Sequence, residues 1–127
     1  MAQKHGTPEL DGLTEQIIGA VYQVSNTLGP GFLEKVYERS LVHELDKRGI
    51  KADAQFSIPV TYDGVLVGDF AGDILVEQRV LLELKTVSTL NDAHLAQCLN
   101  YLTATGLRLC LLINFGTPRA QIRRVMR

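Results

Sequence analysis

A chain of 127 residues with 46% apolar and 21% charged side chains has material for one compact domain around a single hydrophobic core, which argues against disorder. Thirteen basic against fourteen acidic groups give a formal net charge of −1, which excludes a grip on nucleic acid through bulk charge but leaves room for a local basic patch. The amino terminus has no apolar run of the secretory kind, and no segment approaches the ~20 apolar residues of a membrane span, so a cytoplasmic protein with no membrane partner is expected.

Residues 1–11 are polar, carry Gly6 and Pro8, and read as a flexible tail ahead of a domain over 12–127. Leu13, Ile17, Val21, Val24 and Leu28 recur at steps of three and four, the stripe of an amphipathic helix that Gly29-Pro30-Gly31 stops. A second helix is predicted over 33–48, with Val36, Leu41 and Leu45 inward and Gly49 as its terminator. The pattern then turns to short β runs. Residues 54–62 and 65–70 flank Asp63-Gly64, a dipeptide suited to a two-residue hairpin turn, and Pro59 places the first run near a sheet edge. Residues 72–76 and 80–86 predict another hairpin around Glu77-Gln78-Arg79.

A third helix is predicted from Thr89 or Asn91 to Thr105, with Gly106 ending it. Residues 107–115 contain the unbroken apolar run Leu109 to Ile113 of a strand covered on both faces, and 120–126 read as a last edge strand. A helix between the Glu83 strand and the Leu111 strand is the connection a parallel pair requires. The fold class is therefore α/β (α+β), a mixed sheet flanked by helices in the order ααββββαββ, with six strands. Cys98 and Cys110 sit among apolar neighbours without zinc spacing and read as buried free thiols.

The chemistry gathers between Asp73 and Lys85. Nine residues separate Asp73 from Glu83, and each acid lies in a run apolar enough to be a strand. Alternation puts Glu83 and Lys85 on one face of theirs, with Leu84 pointing away. Two carboxylates suit Mg2+, which keeps several waters of its own, and an ammonium beside them can steady a water or a developing negative charge. Regular alternation also puts Asp69 on the face of Asp73, as a solvated acid near a turn or a competing ligand. Glu34 and Tyr37 share a face near the start of the second helix, and His94, Gln97 and Tyr101 share one on the third. Arg119, Arg123, Arg124 and Arg127 form a basic C-terminal stretch and a candidate nucleic-acid contact.

Taken in order, Gly31-x-x-Glu34-x-x-Tyr37, Asp73, Glu83-Leu84-Lys85 and Gln97-x-x-x-Tyr101 resemble the GxxExxY proteins of the PD-(D/E)XK nuclease superfamily, a similarity running from about Leu13 to Arg124. The resemblance implies a restriction-endonuclease-like core and a nuclease that hydrolyses phosphodiester bonds in DNA or RNA with Mg2+, or Mn2+ in its place, through a metal-activated water. It implies Asp73, Glu83 and the main-chain carbonyl of Leu84 as metal ligands, and Glu34 as a further carboxylate. Lys85 would position or deprotonate the attacking water, and Gln97 with Tyr101 would match a helix motif of the exonuclease-like branch. A homodimer able to cut both strands of a duplex fits this reading. The alternative is a non-catalytic interaction module that keeps the fold, with or without the metal site, and acts through a protein partner. A small-molecule site on the face of His94, Gln97 and Tyr101 lacks a phosphate-cradling glycine loop.

Overall fold

The computed structural model describes residues 8–127. Two helices come first, α1 (Pro8–Leu28) and α2 (Glu34–Lys47), followed by β1 (Ala52–Tyr62), β2 (Val65–Val76) and β3 (Val80–Lys85), then α3 (Asp92–Thr105), β4 (Leu109–Asn114) and β5 (Gln121–Met126). The sheet has five strands in the order β1-β2-β3-β4-β5. Only β3 and β4 pair in parallel, across the α3 connection, while the other neighbours are antiparallel. The mixed α/β class expected from the sequence is what the chain forms.

Two expectations are corrected. The tail does not reach Asp11, because α1 already begins at Pro8, whose fixed backbone angle and missing N–H suit the first helical turn; residues 1–7 lie outside the described residues. The sheet has five strands and not six, because 65–70 and 72–76 are one continuous β2. Ala71 and Gly72 stay extended and pair with Ser57 and Phe56. Gly72 is a close-contact position: a Cβ there would lie 2.7 Å from Leu81 Cδ1 and 3.1 Å from Ile58 Cδ1.

Alternating strand residues divide the core into two layers. Ile74, Val76, Val80, Leu82, Leu84, Leu109, Leu111 and Ile113 pack beneath α1 and α2 with Ile17, Val21, Leu41 and Leu45. Leu81, Cys110, Leu112 and Val125 pack on the other face with Cys98 and Leu102 of α3. All six residues of β4 are buried, as the unbroken apolar run requires of a central strand. Both cysteines are free and buried.

The long β1–β2 hairpin turns over part way along. Ala52 belongs to the layer under α1 and α2, whereas Phe56 and Ile58 belong to the α3 layer, although regular alternation would put all three on one face. The reset occurs at Gln55, whose φ of 57° is left-handed and which interrupts the ladder opposite Asp73. On β2 the same reset separates Ile74, under α1 and α2, from Gly72, whose open side faces Leu81 and Ile58. Asp69 therefore does not share the surroundings of Asp73. It lies in the outer part of the hairpin, where its carboxylate accepts a hydrogen bond from Ser57 Oγ at 3.3 Å.

Candidate active site

The β2–β3 ladder stops at the pair Ile74 and Leu82, just short of the two acids. Beyond that point side chains take over the backbone's hydrogen bonds. Glu83 Oε2 accepts from the Asp73 N–H at 2.9 Å, and Asp73 Oδ2 accepts from the Leu84 N–H at 2.7 Å. Each carboxylate thus bridges to the opposite strand, which fixes its direction and leaves Asp73 Oδ1 and Glu83 Oε1 without a donor among the described residues. Gly72 makes room for this, since Glu83 Oε2 lies 3.5 Å from where its Cβ would be.

Glu34 arrives by a different route. Gly29 and Gly31 take φ values of 68° and 115°, so the chain breaks sharply between α1 and α2. Tyr37 clamps that loop: its hydroxyl donates to the Gly29 carbonyl at 2.5 Å and accepts from the Phe32 N–H at 3.2 Å. Its fully buried ring stacks on Phe115 with centroids 4.6 Å apart. The Gly31-x-x-Glu34-x-x-Tyr37 spacing is thus a loop and its clamp, and what it delivers is Glu34 as the first residue of α2. Tyr37 supports the site and does not enter it.

Lys85 follows Glu83 on the α3 face of β3. Its ammonium donates to Gln97 Oε1 at 3.0 Å, and Gln97 Nε2 donates to Tyr101 Oη at 3.3 Å. The i, i+4 spacing of Gln97 and Tyr101 on α3 makes this relay possible. His94, on the same helix, is occupied elsewhere. It forms a capping box with Asn91, whose Oδ1 accepts from the His94 N–H at 3.0 Å while His94 Nδ1 accepts from the Asn91 N–H at 3.1 Å.

Charges at this corner act on one another. Burial first, and the nearby Asp73 charge second, raise the pKa of Glu83 to about 8. Asp73 is raised too, mainly by burial, against the lowering effect of its bond to Leu84. Lost hydration and then the Asp73 charge raise Glu34. Tyr101 is raised by burial and by the charges of Glu83 and Asp73. Crowded acids of this kind hold protons that a cation would displace.

Three contributors escaped sequence reading. Glu38, only 6% exposed, raises the pKa of Asp73 and is held by Lys35 Nζ at 3.0 Å and Gln55 Nε2 at 2.6 Å. Gln55 makes that bond from its left-handed position opposite Asp73. Asn114, fully buried at the end of β4 beside Lys85, accepts from the N–H groups of Val87 at 3.0 Å and Gly116 at 2.9 Å, and donates to the Val87 carbonyl at 2.8 Å and Gln121 Oε1 at 3.1 Å. It secures the chain that leaves Lys85. The i, i+4 spacing of Glu34 and Glu38 was a readable signal, while Gln55 and Asn114 gave none.

The C-terminal arginines do not make one patch. Arg119 lies over the Tyr22 ring, 4.5 Å from its centroid, and Arg124 is 3.8 Å from an Asp11 carboxylate oxygen. Arg123 is exposed on β5, where alternation turns it to the opposite face from Arg124.

The donor set suits a hard divalent cation. Among the described residues no group of three or more His, Cys, Asp or Glu closes around one point. The free oxygens of Asp73 and Glu83 would hold an ion here with water filling much of its shell, the sparse protein coordination that Mg2+ favours.

No curated protein sequence matches this chain. Among solved structures it is similar to the crystal structure of an alkaline exonuclease from Laribacter hongkongensis, at 13% identity, over 90% of this chain and 82% of that one, with a TM-score of 0.43. A family model of the PD-(D/E)XK nuclease superfamily matches residues 11–125, a span that takes in the two bridged acids, Lys85 and Gln97. By that match the chain belongs to the PD-(D/E)XK nuclease superfamily.

Proposed function

We propose that this protein is a Mg2+-dependent nuclease that hydrolyses phosphodiester bonds in DNA or RNA, with Mn2+ able to substitute. The observation that carries the reading is the pair Asp73 and Glu83, each fixed by a backbone N–H from the other strand, with Lys85 held beside them by Gln97. The finer assignment to the GxxExxY proteins rests on the Gly31, Glu34 and Tyr37 spacing and on the Gln97 and Tyr101 pair.

Asp73 and Glu83 would hold the cation, with the Leu84 carbonyl and Glu34 as further oxygens. When bound, the cation supplies Lewis acidity to a phosphate oxygen and to a water. The protein's own contribution is orientation and charge. Gln97 offers Lys85 a neutral acceptor that sets the direction of its side chain. From there it can donate to the attacking water or to the phosphate as negative charge develops. Tyr101 steadies Gln97 from behind. Glu38 and Gln55 support the acids from α2 and β1. Two copies acting together would cut both strands of a duplex, and Arg123, exposed on β5, would meet a nucleic-acid backbone.

A second reading, a non-catalytic module with a vestigial metal site acting through a protein partner, draws on the absence of a convergent triad of metal-binding side chains among the described residues. Calorimetry with Mg2+ and Mn2+ on the native protein and on Glu83→Ala, alongside cleavage assays on single- and double-stranded DNA and RNA, separates the two. Metal-dependent cleavage that disappears in Glu83→Ala supports the nuclease. Metal binding with no cleavage of any substrate overturns it in favour of the module.

A further inference from the structure

Next to the acids, α3 and the outer part of the β1–β2 hairpin enclose a cleft of about 810 Å³. Pro59, Val60, Thr61 and Phe70 form one wall, and Ala96, Gln97, Asn100 and Tyr101 are prominent on the other. Its size falls in the usual range for a ligand site of about 300–1,000 Å³. Three features narrow what it can hold.

None of the lining residues carries a charge at neutral pH, so the cleft offers a phosphate nothing to pair with. Each wall contributes an aromatic ring: Phe70 and Tyr101 sit with centroids 6.0 Å apart, and Phe70 is 49% exposed, a large apolar surface left open to solvent. Its polar groups are neutral donors and acceptors, and the exposed Asn100 amide makes no hydrogen bond among the described residues. A flat, uncharged heteroaromatic ring with donors and acceptors on its edge matches all three.

The cleft is also continuous with the candidate active site, because Gln97 and Tyr101 line it while Gln97 holds Lys85. A group bound there therefore lies beside whatever reacts at Lys85. We propose that the cleft receives the unpaired base of a nucleotide adjoining the scissile phosphodiester, so that the protein acts on single-stranded or frayed nucleic acid. This rests on the nuclease reading above. A paired base cannot enter, since its edge is occupied by its partner and its faces by the stack; an unpaired one exposes both.

The test has a binding arm and a cleavage arm. In the binding arm, single-stranded oligonucleotides carrying 2-aminopurine at successive positions are titrated with native protein in EDTA, with Phe70→Ala and Ala96→Met as variants, their folding checked by thermal melting. Phe70 and Ala96 are both exposed, so neither change disturbs the core. The expected result is an emission change with the native protein that both variants lose. In the cleavage arm, an abasic site is moved along the substrate in Mg2+. At one fixed offset from the cut it should lower kcat/KM by about 5- to 100-fold, the range for a base–aromatic contact, and Phe70→Ala should erase that penalty. Active cleavage with a flat abasic scan overturns the cleft proposal and leaves the nuclease intact. A positive binding scan without cleavage of any nucleic acid supports base capture and overturns the nuclease. Equal emission changes in native and Ala96→Met protein place the base elsewhere and overturn the proposal.

Discussion

Glu83 and Asp73 are bonded through each other's strands, the Glu83 carboxylate to the Asp73 N–H at 2.9 Å and the Asp73 carboxylate to the N–H that follows Glu83 at 2.7 Å. Side chains here replace a rung of the sheet, so the acids are held in place before any substrate or ion arrives. Preorganisation of this kind has an electrostatic cost, and that cost can be measured.

The cost should appear as pH-dependent stability. Glu83 ionises near 4.5 in an unfolded chain and near 8 in the folded one. Between those values the folded protein keeps a proton that the unfolded chain has released, so metal-free stability should fall as pH rises through this window and level off above it. The ceiling is on the order of 5 kcal/mol, at about 1.4 kcal/mol for each tenfold change in proton affinity. Asp73 and Glu34 are raised as well and add in the same direction. Denaturant unfolding in EDTA at pH 5, 7 and 8.5 should trace the decline. Saturating Mg2+ should flatten it, and Glu83→Gln should remove most of the slope together with the Mg2+ response. An undiminished slope in Glu83→Gln would assign the titration to other groups.

Lys85 and Gln97 should separate in their kinetics. Lys85→Ala removes the ammonium bonded to Gln97 and is expected to lower kcat by about 10²- to 10⁴-fold. Gln97→Ala leaves that ammonium in place but unguided, and a loss of about 10- to 100-fold is expected from misplacement alone. Calorimetric Mg2+ affinity should be nearly unchanged in both. A matching fall in metal affinity would mean that the pair shapes the ion site instead.

Asn114 predicts a stability defect that reaches the site. Asn114→Ala abandons the part-buried N–H groups of Val87 and Gly116 and should cost on the order of 2 kcal/mol. Asn114→Asp keeps the acceptor oxygen and should cost less near pH 5 than near pH 8, where its charge is buried. Chemical denaturation of both variants across that pH range gives the comparison.

The arginines should not behave alike. If Arg123 contacts nucleic acid, Arg123→Ala weakens affinity equally across sequences and lowers the slope of log affinity against log salt by about 1. Arg119→Ala should instead act on stability, through loss of its contact with Tyr22. Fluorescence anisotropy at several salt concentrations, with melting temperatures alongside, distinguishes the roles.

Much of the site was legible in the sequence because its residues are close along the chain or regularly spaced. Glu83 and Lys85 share a face through strand alternation, and Gln97 and Tyr101 through a helical turn. Asp63-Gly64 was readable as a turn, and both residues do take positive φ, 52° and 75°. The errors came from residues whose meaning depends on distant partners. Runs 65–70 and 72–76 looked like separate strands, but they are continuous, and the smallness of Gly72 answers to Leu81 and Ile58 across the sheet. Pro8 looked like part of a tail, yet it can equally open a helix. Gln55 meets Glu38 across 17 residues and Asn114 meets Val87 across 27, separations at which no local pattern survives.

The turnover at Gln55 makes the two ends of the hairpin unequal in what they can absorb. Lengthening the chain at the exposed Asp63-Gly64 tip only adds to a protruding finger. Removing one residue beside Gln55 would rephase everything beyond it, rolling Phe56 and Ile58 toward solvent and carrying the aromatic wall of the cleft away from α3. A single awkward backbone angle thus works as the hinge pin that aims an entire arm of the molecule.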